Sequence, residues 1–81
     1  MQVQLLAFAS AAQTLGFAAR DWQLPGELPV SELRRILAEE FPGLAPLLPR
    51  IAIAVGGCIA EPATLVQEGA EIALLPPVSG G

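Results

Sequence analysis

The chain has no histidine, no lysine and only one cysteine, Cys58. Without histidine, the commonest general base and the commonest metal ligand are both missing. One cysteine cannot replace them, so composition argues against a self-contained hydrolase, and no metal site is expected. A single cysteine also permits no internal disulfide, which makes the reducing cytoplasm the expected location. Positive charge is scarce as well: Arg20, Arg34, Arg35 and Arg50 face eight acidic residues, for a net charge of −4. Nucleic acid and anionic membrane surfaces both demand a basic face, so neither is an expected partner.

Long apolar runs are absent too. No stretch approaches the eighteen residues that mark a membrane span. The apolar opening, Met1–Ala19, has no basic start and is interrupted by Gln2, Gln4, Gln13 and Thr14. It reads as a strand plus a turn of helix, not as a signal peptide. The missing lysine has two readings. A genome biased toward Arg and Ala codons accounts for it without function. Alternatively, a chain with a chemically activated carboxyl group benefits from having no side-chain amine to attack it, which leaves only the α-amino group of Met1.

What is present is mostly apolar. Hydrophobic residues make up 53% of the 81 residues and charged ones 15%, against about a quarter charged in ordinary domains. A chain this short buries only about 60–65% of its unfolded surface. Some apolar surface must therefore stay outside, and such patches usually mark a partner interface. The acidic charge adds a weak steering toward basic partners.

Along the chain, Gln2–Phe8 is β-prone, with Val3 and Leu5 on one face and Leu6 and Phe8 on the other. Ala9–Leu15 suits a short helical turn closed by Gly16, and Phe17–Leu24 reads as a second strand before the Pro25-Gly26 loop. The clearest helix runs over 30–40: Val30, Leu33, Ile36, Leu37 and Phe41 form one apolar stripe, while Glu32, Arg34, Arg35, Glu39 and Glu40 occupy the rest. Leu44–Arg50 is a turn or loop, Ile51–Val55 a buried strand, and Gly56-Gly57 a tight turn before Cys58-Ile59. Gln67–Ala70 is a turn and Glu71–Leu75 the final strand, ended by Pro76-Pro77, which have no N–H to extend a ladder. An early hairpin, one crossing helix and later strands make an α+β chain: a β-grasp, or ubiquitin-like, mixed sheet wrapped over one main helix. The expected organisation is a single domain at 1–75 and a flexible Gly-Gly tail at 76–81.

The tail carries the chemistry. Pro76 and Pro77 stiffen the exit, and six residues at about 3.3 Å each reach roughly 20 Å, enough to enter another protein's active site. Without Cβ, the final glycines Gly80 and Gly81 fit a narrow channel and leave the terminal carbonyl carbon open to attack. A carboxylate is a poor electrophile, so reaction at Gly81 needs prior activation, most simply as an acyl-adenylate made with ATP. Sulfur attack then gives a thiocarboxylate. Two terminal glycines arise by chance in about 1 chain in 200, given a glycine frequency near 7%. Their weight comes from the strand and Pro-Pro exit before them.

The stretch Leu65-Val-Gln-Glu-Gly-Ala-Glu-Ile-Ala-Leu-Leu-Pro-Pro-Val-Ser-Gly-Gly81 closely resembles the C-terminus of the molybdopterin synthase small subunits, in the MoaD/ThiS sulfur-carrier family. Those chains show Gly, Asp or Ala, Glu, a hydrophobic strand and then Pro-Pro-Val-Ser/Thr-Gly-Gly. The resemblance extends over the whole chain in length and element order. It implies that a ubiquitin-activating-like enzyme adenylates Gly81 with ATP, and that a sulfurtransferase or cysteine desulfurase supplies the sulfur. A C-terminal 1-thioglycine is then the active form, with no permanently bound cofactor. It further implies that the tail inserts into the large synthase subunit, in a heterotetramer, and gives its sulfur to cyclic pyranopterin monophosphate. The catalytic side chains then belong to the partner. The tail residues Pro76, Pro77, Val78, Ser79, Gly80 and Gly81 are the expected contacts.

Many relatives have Val-Asn where this chain has Val55-Gly56; both residues tolerate a left-handed turn. Leu74 and Leu75, with Phe8 and Ile59, are candidates for an exposed docking face or for core. Cys58 is either a sulfur relay or a small core or turn residue. Carriers for thiazole or tRNA thiolation share the tail chemistry, and a ubiquitin-like protein modifier would join Gly81 to lysines.

Overall fold

Strand β1 (Gln2–Ala7) runs up the middle of the fold with Val3, Leu5 and Ala7 buried and Gln2 and Gln4 exposed. The period of two that separates these sets places the first on the core side of a sheet. Helix α1 (Ala9–Leu15) follows at once and ends on Gly16, whose φ of 83° and N–H to the Ala12 carbonyl (2.8 Å) close the last turn. Strand β2 (Ala19–Gln23) then returns antiparallel to β1, so the expected hairpin carries a helix in its connection. The first strand stops at Ala7, not Phe8, because Phe8 is the residue preceding α1, and the second is shorter than 17–24, with Trp22 as its buried residue.

Strand β3 (Leu28–Pro29) leads directly into α2 (Val30–Glu40), which has the expected bounds and buries Val30, Leu33 and Leu37. Two 3-10 turns, Pro42–Leu44 and Leu48–Arg50, bring the chain to β4 (Ala52–Val55) and, across Gly56-Gly57, to β5 (Cys58–Ile59). Both turn glycines have positive φ, 60° and 85°, a left-handed region that glycine enters without steric cost. Strand β6 (Leu65–Val66) pairs antiparallel with β3 in a separate two-stranded ribbon. Neither two-residue strand was expected from periodicity, which needs longer windows to register.

Strand β7 (Glu71–Leu75) inserts between β1 and β4, parallel to the first and antiparallel to the second. The main sheet order is therefore β2-β1-β7-β4-β5. Leu5, Ile53, Ile72 and Leu74 from its inner face meet Leu33 and Leu37 of α2 and Leu44 beyond it in one core. This is a β-grasp, a mixed sheet wrapped over its main helix, as the element order predicts. The structure, a computed structural model, describes residues 1–77; Val78, Ser79, Gly80 and Gly81, all expected contacts, lie outside the described residues.

Two polar residues on α2 are not simply solvated. Arg34 donates to the carbonyls of Leu48 (2.9 Å) and Ile51 (2.8 Å), tying the second 3-10 turn to the helix. Glu40 accepts the indole N–H of Trp22 at 2.6 Å. The exposed remainder behaves as the spacing predicts: Arg35 bridges Glu32 and Glu39, whose carboxylates push its guanidinium pKa further up, the Glu32 hydrogen bond leading.

Candidate functional site at the exit of the last strand

Because β7 lies third of five strands, its C-terminus leaves from the centre of the sheet, held on both sides by ladders. Leu74 stands opposite Ala7 of β1 and Ile53 of β4, and Leu75 opposite Ala52. Pro76 is half-buried and Pro77 exposed. With no N–H on either, neither residue can extend the ladder.

The alternation of β7 decides which leucine can meet a partner. Leu74 is fully buried (0% exposed) and belongs to the core. Its candidacy for the docking face is corrected: it shares the inward face with Ile72, under α2. Leu75 points to the opposite, outer face and is half-buried. Phe8 and Ile59, the other docking candidates, are 48% and 67% exposed.

Register connects these residues into a surface. Ala19 pairs with Leu6, Leu6 with Ala73, Ala73 with Ala54 and Ala54 with Ile59, one apolar row across all five strands on the outer face. Ala54 is buried yet absent from the core cluster, as expected of a small residue roofed by neighbours on this side. The next row toward the exit holds Ala52 and Leu75, with Phe8 one step beyond the last β1–β7 pair. The row in the other direction is polar: Asp21, Gln4 and Glu71 lie side by side. The outer face thus divides in two, apolar toward the tail and acidic away from it. Ala19, Ala54 and Ala73 were missed in the sequence because alanine reads as filler until register sets it beside its neighbours; Leu6 was placed on the face opposite Val3 and Leu5 but not joined to a docking surface. The signal available was the strand residues alternating with the buried set.

Phe8 owes its exposure to a strained turn. Ala9, at the start of α1, has a φ of 49°, the one non-glycine residue with positive φ among those described. This bend takes the backbone out of the sheet while Phe8 itself stays extended. Non-glycine residues in that region cost roughly 1–2 kcal/mol, and such strain concentrates at functional sites.

Cys58 is exposed on the edge strand β5. It pairs with Val55, which pairs with Ile72, so it lies toward the start of β7 and away from the exit. That position fits the turn-residue reading. Among the described residues, no three or more His, Cys, Asp or Glu stand together to hold a metal, and no helix is long and apolar enough to cross a membrane.

A β-grasp body with an apolar half-face around a released C-terminal strand defines a ubiquitin-like protein. The particular family follows from comparison: residues 5–81 match the ThiS family, and the chain belongs to it. It is 34% identical over 83 residues to the molybdopterin synthase sulfur carrier subunit of Caenorhabditis briggsae, covering 100% of this chain and 99% of that one. Among solved structures it superposes on SAMP1 from Haloferax volcanii with a TM-score of 0.83 at 25% identity, covering all of both chains. It also matches a chain of the complex of subunits 1 and 2 of the molybdopterin-converting factor from Helicobacter pylori, with a TM-score of 0.71 at 30% identity and full coverage of both.

Proposed function

We propose that this chain is a sulfur carrier for molybdenum cofactor biosynthesis, with Gly81 as the carrying group. The supporting observation is the course of β7, which leaves the centre of the sheet at the apolar end of the outer face, six residues before Gly81. A strand held on both sides gives the tail a fixed origin, and the surrounding apolar rows give a partner something to grip. Docking on Phe8, Leu75 and Ile59 then aims the tail into the partner's active site.

In this scheme the Gly81 carboxylate attacks the α-phosphate of ATP on an activating enzyme, and pyrophosphate leaves. A sulfide equivalent from a sulfurtransferase or cysteine desulfurase attacks the carbonyl carbon. The new C–S bond replaces the C–O bond to AMP, which departs with the electron pair. The 1-thioglycine tail enters the large synthase subunit and its sulfur passes to cyclic pyranopterin monophosphate, in a heterotetramer whose other side chains do the catalysis. Leu75, Pro76, Pro77, Val78, Ser79 and Gly80 guide the tail, and Gly80 with Gly81 lets it pass a narrow channel. The relative named above as a sulfur carrier subunit, and the full-length match to one chain of a two-subunit complex, support this assignment.

The test is intact-mass analysis after incubation with an activating enzyme, ATP and a sulfur donor. The expected result is the mass gain of one oxygen replaced by one sulfur at Gly81; no gain overturns the carrier reading. A second reading, protein modification, is favoured by the match to SAMP1, a small archaeal modifier protein. It predicts isopeptide adducts of this chain on other proteins.

A further inference from the structure

We infer that this chain gives its own activated C-terminus no amine to react with, so that Gly81 enters an amide bond only with an amine that another protein brings. The inference extends the carrier reading to what protects the activated group. An activated carboxyl is destroyed by aminolysis: an amine nitrogen attacks the Gly81 carbonyl carbon, a C–N bond forms, and the leaving group departs with its electron pair while the nitrogen loses a proton. The resulting amide is permanent. A lysine on the same chain or a neighbouring copy is the ordinary acceptor.

Here the body has none. All four basic residues are Arg20, Arg34, Arg35 and Arg50, and a guanidinium stays protonated and non-nucleophilic. The remaining amine, the α-amino group of Met1, is engaged: it donates to the Leu24 carbonyl at 2.8 Å in a partly buried site. Topology also holds it away. Strands β1 and β7 are parallel, so Met1 sits at the end of the sheet opposite the exit. Seven residues separate Met1 from Phe8, about 23 Å of strand. The six residues after Leu75 span at most roughly 20–22 Å even when straight, and doubling back consumes part of that length. Pro76 and Pro77 oppose the reversal by fixing φ in an extended range. Cys58 is a free, exposed thiol. Its product is a thioester, which reverses with added thiol.

The consequence reaches both proposed functions. A carrier of this design waits for sulfur without acylating itself, and a modifier of this design forms single adducts, not chains linked through its own body.

The test needs no activating enzyme, so it stands apart from the carrier assignment. The Gly81 thioester of the full chain is prepared chemically, incubated at mildly alkaline pH, treated with excess thiol to remove any Cys58 thioester, and weighed. The same is done with Ser10→Lys, an exposed position in α1 near the exit. A short tether gives an effective concentration on the order of millimolar, roughly a hundredfold above a protein at ~10 μM. Ser10→Lys is therefore expected to form cyclic amide at a rate about a hundredfold above any amide from the parent chain, which returns as free acid and thiol-exchanged thioester. Amide from the parent at a comparable rate overturns the inference. So does a Ser10→Lys chain that forms none, because lysine placement then does not govern the fate of the group.

Discussion

Arg34 donates from its guanidinium to the carbonyl of Ile51 at 2.8 Å, one residue before the strand that flanks the tail exit. Its second nitrogen binds Leu48 at 2.9 Å. This one side chain therefore fixes the turn that delivers Ala52 to its place opposite Leu75. Hydrogen bonds to charged groups contribute about 1.5–3 kcal/mol each, with the lower end fitting this half-buried site. Arg34→Met, which loses both bonds, is expected to lower unfolding stability by roughly 3 kcal/mol in urea denaturation. Arg34→Lys, whose ammonium cannot fork to both carbonyls, should recover less than half of that. Full stability in Arg34→Met would show that the turn is held by packing alone.

Nothing in the spacing of α2 singles out Arg34. On the α2 stripe it falls among charged residues, and Arg35 beside it does make the surface pairs that spacing predicts. Spacing along one helix carries no information about carbonyls brought from a segment 14 and 17 residues away. The helix itself was legible because eleven residues give three turns of apolar repeat, and β7 because two prolines end it. The β3–β6 ribbon was not, since two residues contain no period. The docking face was half legible. Phe8, Ile59 and Leu75 stand out by size, but the alanines between them become a surface only through register, which is a property of the pairing.

The two leucines of β7 separate stability from docking. Leu74 is fully buried in the core, and Leu→Ala at such sites costs about 2–5 kcal/mol. Against a total of roughly 5–15 kcal/mol, Leu74→Ala should visibly lower the melting temperature. Leu75→Ala, half-buried on the outer face, should leave melting nearly unchanged and weaken binding to a large synthase subunit in calorimetry. Equal effects of both on melting would place Leu75 in the core.

The strained residue that opens α1 offers a gain. At a φ of 49°, alanine carries a steric penalty of roughly 1–2 kcal/mol that glycine lacks, while glycine loses about 0.5–1 kcal/mol to its freer unfolded state. Ala9→Gly is therefore expected to raise stability by about 0.5 kcal/mol in chemical denaturation. A clear loss would mean that the Ala9 side chain supports the turn.

Ile59 tests whether the apolar row is the surface a partner grips. It is 67% exposed at the far end of that row, on the edge strand and distant from the tail. Its removal should cost folding little, because surface substitutions usually fall within about ±0.5 kcal/mol. Ile59→Glu places a charge against whatever covers Ala54 and Ala73. If that contact is a binding hot spot of about 2 kcal/mol or more, affinity for the large subunit should fall roughly thirtyfold. Deletion of Gly81 should do the opposite: binding is largely kept, while thiocarboxylate formation and molybdopterin synthesis are lost. Docking and chemistry then map to separate parts of the chain. Unaltered affinity in Ile59→Glu, measured beside an intact melting curve, would restrict the interface to the tail and the rows nearest it.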